Sequence, residues 1–365
     1  MQSKSVKLGL ALLLGMMGGV ATAETSSVRL YNWYDFIEPE TPRTFEKESG
    51  VSMVLDTFDS IDVMQSKLMV GRTGYDVVVV SGDALPNLIK AGVLAELDRS
   101  QLPNWHHLAP EILAKVHSND PDNRYAVPYM WGTTGIGYDV DKVTQLLGPD
   151  APVNSWDLIF KEENIARLSQ CGVAMLDSPS EIIPIALYYL GLPPNSRDPA
   201  DYRKAEELLL KIRPHVRYFD SSRFITDLAN GNICAVVGWA GGVYDAQVNS
   251  ERANNGRHIA YQIPREGAPV WVESFVLLKD APHPKAAMDF IDYMLRPEVV
   301  ARSSNYLGYP NANKDATAHV EEKLRSNPGA YPSKETMATL FPLEPLPLKL
   351  ERVRTRVWSK VRSGT

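Results

Sequence analysis

Apolar residues in this chain form short continuous runs separated by amphipathic stretches, a pattern typical of strands that alternate with helices. A run of four valines at 77–80 follows Asp76 and is typical of a strand buried on both faces of a parallel sheet. In the first third of the chain, the pattern predicts strands at 28–31, 51–56 and 76–80 and helices at 39–49, 63–70 and 85–91. This alternation indicates an α/β fold with right-handed crossovers.

A second α/β set fills the middle of the chain, and the tail returns to strands. The predicted elements are strands at 172–176, 234–238, 259–263 and 270–278 and helices at 182–190, 205–212, 224–229 and 286–295. Two such sets without a linker predict two lobes joined by crossing strands, with a cleft between them. We expect the first lobe to span 24–135 and 256–313, the second 136–255, and a C-terminal helical segment, 314–365, to complete the lobes.

The first residues have the layout of a secretory leader. Lys4 and Lys7 precede an apolar run at 8–20, and Ala-Thr-Ala at 21–23 supplies the small residues of a cleavage site. The run is short and rich in glycine for a membrane span, although a retained anchor is the alternative. No Cys follows the cleavage site, which argues against a lipid anchor. The sequence predicts a leader at 1–23 and an exported, soluble chain.

Charge and cysteine content narrow the classes of partner. The formal net charge of −6 becomes −8 without the two leader lysines, which argues against nucleic acid or anionic lipid and is compatible with a cationic ligand. Cys171 and Cys234 are the only cysteines. In an oxidising compartment such a pair most simply forms a disulfide, which would stabilise the fold by about 4 kcal/mol, whereas two unpaired thiols are the alternative.

Aromatic and acidic residues follow the predicted strands, where ligands bind in open α/β sheets. They are Trp33, Tyr34, Asp35 and Phe36 after the first strand, Ser81 and Asp83 after the valine run, Glu181 after the strand at 172–176, and Trp239 after the strand at 234–238. Basic residues are missing from these positions. The set favours a site for a cation.

The strand at 270–278 gives the sharpest local argument. With a period of two, Trp271 and Glu273 share one face with Phe275 and Leu277. A carboxylate on an aromatic face is costly to bury unless a cation or hydrogen-bond donors pair with it. An internal salt bridge is one reading, and the other aromatic and acidic strand ends favour a bound cation, held also by cation–π attraction.

Signals for catalysis and for metal binding are weak. Ser81 lies outside any G-x-S-x-G elbow, and His106-His107 has no acidic partner at metal-ligand spacing. P-loop and dinucleotide fingerprints are also missing. We therefore expect a binding protein without cofactor or metal, with an exported hydrolase as the competing class.

Five segments resemble the periplasmic putrescine/spermidine-binding proteins. They are Y-N-W-Y-D at 31–35, F-D-S at 58–60, Y-M-W-G-T-T-G-I-G-Y at 129–138, D-L-A-N-G at 227–231 and R-V-R-T-R-V-W at 352–358. The resemblance runs in order over essentially the whole mature chain. It implies a type II periplasmic binding fold, a disulfide between the two cysteines, a periplasmic location and delivery of a polyamine to an ABC permease by a monomer.

The same resemblance implies a set of ligand-binding residues. The implied aromatic walls, acids and hydroxyls are Trp33, Phe36, Trp239, Trp271 and Tyr309, then Asp35, Glu181 and Glu273, then Ser81 and Ser221. These residues are carried over by their position in the family pattern, and Tyr34 lies within the first motif.

Departures from the family pattern bear on the choice of ligand. Gly242 stands where putrescine receptors carry an acid, and Asp83 or Asp245 could replace it. Glu273 replaces an Asp, and Trp271 replaces a Phe, as in receptors that prefer spermidine. We therefore expect a polyamine, with a preference for spermidine or another longer or modified amine. Another organic cation or an amino-acid derivative is the alternative ligand, and a sensor role is the alternative to transport.

Overall fold

The computed structural model describes residues 27–34, 36–59 and 61–365, and of residue 62 it describes the backbone only. The predicted leader at 1–23 and the candidate acid Asp35 lie outside the described residues. Within the described ranges, no helix has the length and apolar character needed to cross a membrane.

The strands join into one continuous sheet. They are β1 Ser27–Trp33, β2 Ser52–Phe58, β3 Val77–Ser81, β4 Ala126–Asp139, β5 Val173–Met175, β6 Val216–Phe219, β7 Ala235–Trp239, β8 Ile259–Gln262, β9 Pro269–Leu277 and β10 Phe341–Pro342. The order across the sheet is β2-β1-β3-β9-β4-β7-β5-β6, with β10 paired to β9 and β8 paired to β4.

Helices follow most strands and supply the outer layers. They are α1 Thr41–Ser49, α2 Ile61–Val70, α3 Leu85–Ala91, α4 Pro110–His117, α5 Val140–Leu147, α6 Asp157–Phe160, α7 Glu162–Leu168, α8 Pro179–Tyr189, α9 Pro199–Ile212, α10 Arg223–Asn230, α11 Ala240–Ala253, α12 Pro284–Met294, α13 Pro297–Leu307, α14 Glu322–Arg325, α15 Lys334–Thr339 and α16 Leu348–Ser363. The predicted helices and strands are therefore present, with ends that move by a few residues.

The valine run forms the buried strand that the sequence predicts. The side chains from Val77 to Val80 in β3 have no exposed surface. The expectation of a parallel sheet is wrong on one side of this strand, because β3 pairs in parallel with β1 but antiparallel with β9. The sheet of the first lobe is mixed, because β9 follows the strands of the second lobe in the chain and then pairs antiparallel with β3.

Strand β4 joins the two lobes, which confirms the expected crossing connection. Its first half pairs with β9, and its second half pairs with β7 and β8. Sequence reasoning did not place a strand here, because glycines lower strand propensity. The glycines permit close packing instead, since a Cβ at Gly132 would lie 2.3 Å from Trp271 and one at Gly137 would lie 2.4 Å from Val243.

The C-terminal segment contacts both lobes. The side chain of Lys115 in α4 donates to the carbonyl of Leu340 at 2.7 Å. Further on, α16 packs against α8 and α9, and the indole N–H of Trp358 donates to Asp177 at 2.8 Å. These contacts agree with a segment that completes the lobes, whereas the lobe boundaries that we expected stay a prediction.

Cys171 and Cys234 form the expected disulfide, with a Cα separation of 5.5 Å. The bond joins Cys171, two residues before β5, to Cys234, directly before β7, and these two strands are neighbours in the second lobe. The alternative of two unpaired thiols is wrong.

Candidate functional site

Cross-strand register brings one set of side chains onto a single face of the sheet. Residues directly opposite each other in an antiparallel pair point to the same face, as do residues two apart on one strand. Ser81 lies opposite Glu273, Gly132 opposite Trp271, and Thr134 opposite Trp239. We call this set the cleft wall: Ser81, Glu273, Trp271, Gly132, Thr134 and Trp239. It extends from the first lobe, across β4, into the second.

Glu273 marks the first-lobe end of the cleft wall. The indole N–H of Trp33 donates to one oxygen of its carboxylate at 2.8 Å, and the hydroxyl of Ser81 donates to the other. The residue is only 6% exposed. Burial raises the pKa of Glu273 to about 7, although the two hydrogen bonds oppose the rise. This carboxylate is held in place by neutral donors.

Glu181 marks the second-lobe end and repeats the same arrangement. It lies in the first turn of α8 and is also 6% exposed. The indole N–H of Trp239 donates to its oxygens at 2.9 and 3.2 Å, and the hydroxyl of Thr134 donates to the first of them. Burial raises the pKa of Glu181, and hydrogen bonds from Thr134, Ser178 and Trp239 oppose that rise.

Within the described part of the chain, neither carboxylate has an ion-pair partner. Their pKa values respond to burial, to neutral donors and to other acids, with Asp83 acting on both. An internal salt bridge for Glu273 was one reading of the sequence, and the structure contains none among the residues it describes. Two buried acids without a cation form a site that a ligand with two positive groups would neutralise.

Trp271 lies between the two acids along the cleft wall, and further aromatic rings pack around it. Tyr309 meets Trp271 edge to face, with ring centroids 5.0 Å apart, and the Phe36 ring lies 6.1 Å from that of Tyr309. The Tyr309 ring also rests on Gly241 at the start of α11, where a Cβ would come within 2.1 Å of the ring. Burial raises the pKa of Tyr309, and the backbone N–H of Gly242 opposes the rise. The lobes therefore touch at this aromatic corner.

A side chain at position 242 would point away from the cleft wall, toward Phe224. A Cβ at Gly242 would lie 2.5 Å from the ring of Phe224 and 3.5 Å from Ile225. Phe224 is completely buried, so its ring occupies the direction in which an acid at 242 would begin. An acid at position 242, as the family resemblance leads us to expect, would have to displace this ring. Asp245, one candidate replacement, lies on the exposed side of α11.

Asp83 turns toward the C-terminal helix. It lines a small cavity together with Ser180, Tyr202 and Arg354. Burial raises the pKa of Asp83, while Arg354 and the backbone N–H groups of Asp83 and Ala84 oppose the rise. The carboxylate is near enough to raise the pKa of both wall acids. Its role as a replacement acid stays a prediction.

The other candidates lie around the wall with different partners. The hydroxyl of Ser221 accepts the N–H of Asp177 at 3.1 Å. Tyr34 is 76% exposed, and its N–H donates to Phe58 in the adjacent strand. Their contribution to binding stays a prediction.

Sequence reasoning missed Gly132 and Thr134. Both lie in the motif at 129–138, two residues apart, so the period-two rule could have placed them on one face had β4 been predicted. Among the residues described, no cluster of His, Cys, Asp and Glu is arranged to hold a metal ion. Among the described residues, the Ser81 hydroxyl donates to Glu273, and no hydrogen bond joins Ser81 to a histidine.

Known proteins resemble this chain over most of its length. A family model described as bacterial extracellular solute-binding protein matches residues 42–332. The putrescine/agmatine-binding protein of Pseudomonas aeruginosa is 69% identical over 345 residues, with 94% of each chain covered. The putrescine-binding periplasmic protein PotF of Escherichia coli is 49% identical, covering 96% of this chain and 95% of its own. These names describe binding proteins rather than enzymes.

A solved structure agrees with the fold. The spermidine/putrescine ABC transporter substrate-binding protein PotD of Streptococcus pneumoniae superimposes with a TM-score of 0.82 and 26% identity, covering 93% of this chain and 99% of its own. The expected two-lobe α/β fold of periplasmic binding proteins is thereby confirmed.

Proposed function

The chain belongs to the family of bacterial extracellular solute-binding proteins, and from this premise we propose that it captures a linear organic dication of the polyamine class. The candidates are diamines and their derivatives, among them putrescine and agmatine, which the name of a relative contains. We propose further that residues 1–23 are a cleaved leader, that the mature chain lies in the periplasm, and that it delivers its ligand to an ABC permease.

One observation carries the proposal: two buried carboxylates face the cleft, each held by an indole N–H and a hydroxyl and neither paired with a described cation. Ammonium groups stay protonated near neutral pH and bind carboxylates through charge-assisted hydrogen bonds. Trp271 lies between the acids on the cleft wall, with Tyr309 packed against it, and an aromatic face suits a methylene chain. Acids at both ends with rings between them suit a ligand with a cation at each end.

The choice among amines remains a prediction. The departures at positions 242, 271 and 273 favour spermidine or another longer or modified amine. Agmatine is a modified diamine, so it satisfies that expectation as well as spermidine does. Both belong in the test.

The test is calorimetric titration of the mature chain with putrescine, agmatine, cadaverine and spermidine, with 1-butylamine as the ligand that has one charge fewer. We expect at least one dication to bind at least a hundredfold more tightly than 1-butylamine, because the second cation neutralises the second acid. The variants Glu181→Gln and Glu273→Gln should each lose more than tenfold in affinity. Glu111→Gln, at an exposed position of α4, is the matched control and should bind normally.

Equal affinity for 1-butylamine and the diamines would contradict the proposal. So would a failure of every amine to bind, together with tight binding of another solute. Polyamine binding that is unchanged in both carboxylate variants would place the ligand elsewhere.

A further inference from the structure

The motif at 352–358 lies in α16 and contributes no residue to the cleft wall. Its last residue, Trp358, is only 6% exposed, and its ring meets that of Phe219 edge to face, with centroids 5.0 Å apart. Arg362 follows one helical turn later and therefore lies on the same side of the helix as Trp358. Both side chains reach the segment that joins β5 to α8.

Asp177, in that segment, is the residue that both side chains contact. The indole N–H of Trp358 donates to Oδ1 of Asp177 at 2.8 Å, and Nη1 of Arg362 lies 3.1 Å from Oδ2. Each oxygen of this carboxylate therefore has a partner on the C-terminal helix. The backbone N–H of Asp177 donates to the hydroxyl of Ser221 at 3.1 Å. Asp177 is thus held at three points.

The start of α8 comes directly after this anchor. The helix begins at Pro179 with Ser178 as its N-cap residue, but the side chain of Ser178 makes no capping hydrogen bond. A serine at this position usually accepts a hydrogen bond from a free N–H of the first turn. Because that bond is missing here, Asp177 supplies a hold on the first turn from outside the helix.

Glu181 lies in this first turn. Its carboxylate must meet donors on two other elements, Thr134 in β4 and Trp239 at the end of β7. The hydroxyl of Ser178, the neighbour of Asp177, also opposes the rise that burial causes in the pKa of Glu181. A binding group works best when its neighbours hold it to within about 0.5 Å, so a shift at the start of α8 would misplace this carboxylate.

We propose that Asp177 is a positioning residue through which the C-terminal helix fixes Glu181. Trp358 and Arg362 hold Asp177, Asp177 holds the first turn of α8, and that turn presents Glu181 to the ligand. This inference rests on the proposed function, since it takes Glu181 as one of the two acids that bind the amine. It gives a role in binding to the motif at 352–358.

The experiment measures the affinity for putrescine by calorimetry in three variants. Trp358→Phe keeps a ring beside Phe219 but removes the N–H, and Asp177→Ala removes the acceptor. Each should weaken binding about three- to tenfold, the range expected for the loss of one hydrogen bond. Asp177→Asn keeps an oxygen that can accept from Trp358, and the ion pair that it loses is partly exposed, so it should bind within about twofold of the wild-type protein.

Further variants separate positioning from stability. Val361→Ala opens a cavity on the buried face of α16, so it should lower the free energy of unfolding but keep the affinity. Arg352→Gln, at an exposed position of the same helix, should keep both. In a chain that also carries Glu181→Gln, the substitutions Trp358→Phe and Asp177→Ala should change the affinity less than about twofold, because the charge that they position is gone.

Equal losses of affinity in Asp177→Asn and Asp177→Ala would overturn the proposal, because the charge of Asp177 would then bind the ligand directly. An unchanged affinity in Trp358→Phe would also overturn it, as would losses that persist in full beside Glu181→Gln. A loss of affinity in Val361→Ala as large as that in Trp358→Phe would mean that α16 acts through stability alone. A wild-type protein that binds no amine would instead overturn the proposed function.

Discussion

Capture of a cation should depend on pH through the ionisation of Glu273. Burial raises the pKa of this carboxyl from 4.5 to about 7, and the donors Ser81 and Trp33 limit the rise. A bound ammonium group would favour the ionised form and bring the pKa down again. Binding of a diamine below neutral pH should therefore release a proton from Glu273 and become weaker as the solution becomes more acidic.

The size of the effect follows from that pKa. The amino groups of a diamine titrate near those of lysine, at roughly pH 10, so the charge of the ligand stays constant between pH 5 and 8. For one carboxyl with a pKa of about 7, the dissociation constant should be about tenfold larger at pH 6 than at pH 8, and about a hundredfold larger at pH 5. The pKa of Glu181 is raised as well, which should make the acid limb steeper.

Calorimetry with putrescine from pH 5 to pH 8, in buffers of different ionisation enthalpy, measures both the affinity and the protons released. About one proton should leave per ligand near pH 6. Glu273→Gln should flatten the pH dependence, whereas Glu111→Gln should keep it. Circular dichroism establishes that the fold persists at pH 5. A change of less than threefold across this range in the folded wild-type protein would refute the reasoning, as would an undiminished slope in Glu273→Gln.

Three further predictions concern stability and are measured by urea unfolding. The free energy of unfolding of the ligand-free wild-type protein should fall by about 3 kcal/mol, relative to that of Glu273→Gln, as the pH rises from 4.5 to above 7. The reason is that a raised pKa in the folded state contributes stability at low pH, and this stability is lost once the carboxyl ionises. Parallel curves of stability against pH for the two proteins would contradict this. Gly242→Asp should lower the free energy of unfolding by about 1–3 kcal/mol, because the new side chain clashes with Phe224. Adding Phe224→Leu to this variant should recover part of the loss. If Gly242→Asp alone is as stable as the wild-type protein, the Phe224 ring moves freely and the reasoning is wrong. Replacing Cys171 and Cys234 by serine should cost about 4 kcal/mol, and wild-type protein under reducing conditions should match the variant.

Much of the fold could be predicted because its signals are local. The valine run of β3 has no polar position, and burial on both faces explains that composition. The period of two in β9 put Trp271 and Glu273 on one face, and β9 has that register in the structure. The local sequence pattern is sufficient to predict a site wherever a single strand carries the functional side chains and also sets the face to which they point.

The features that could not be predicted from the sequence depend on contacts between segments that are distant in the chain. Strand β4 contains glycines, which are more typical of a loop. Their presence is explained by the close approach of Trp271 to Gly132 and of Val243 to Gly137. The same limit applies at Gly242, where the sequence indicates a lost acid but cannot reveal that Phe224 fills the space. It applies also to Glu181, whose partner Thr134 is 47 residues away in the chain. Long-range packing decides each of these cases.

The use of indole and hydroxyl donors explains how the site can be both ordered and ready for a ligand. An arginine would hold Glu181 or Glu273 more firmly, but it would also neutralise the charge that attracts a cation. The indole N–H groups of Trp239 and Trp33 donate to these acids without neutralising their negative charge. In the proposed function, a dication neutralises both buried carboxylates and offsets the free-energy cost of burying them, so the affinity for the ligand and the instability of the empty site should have the same origin.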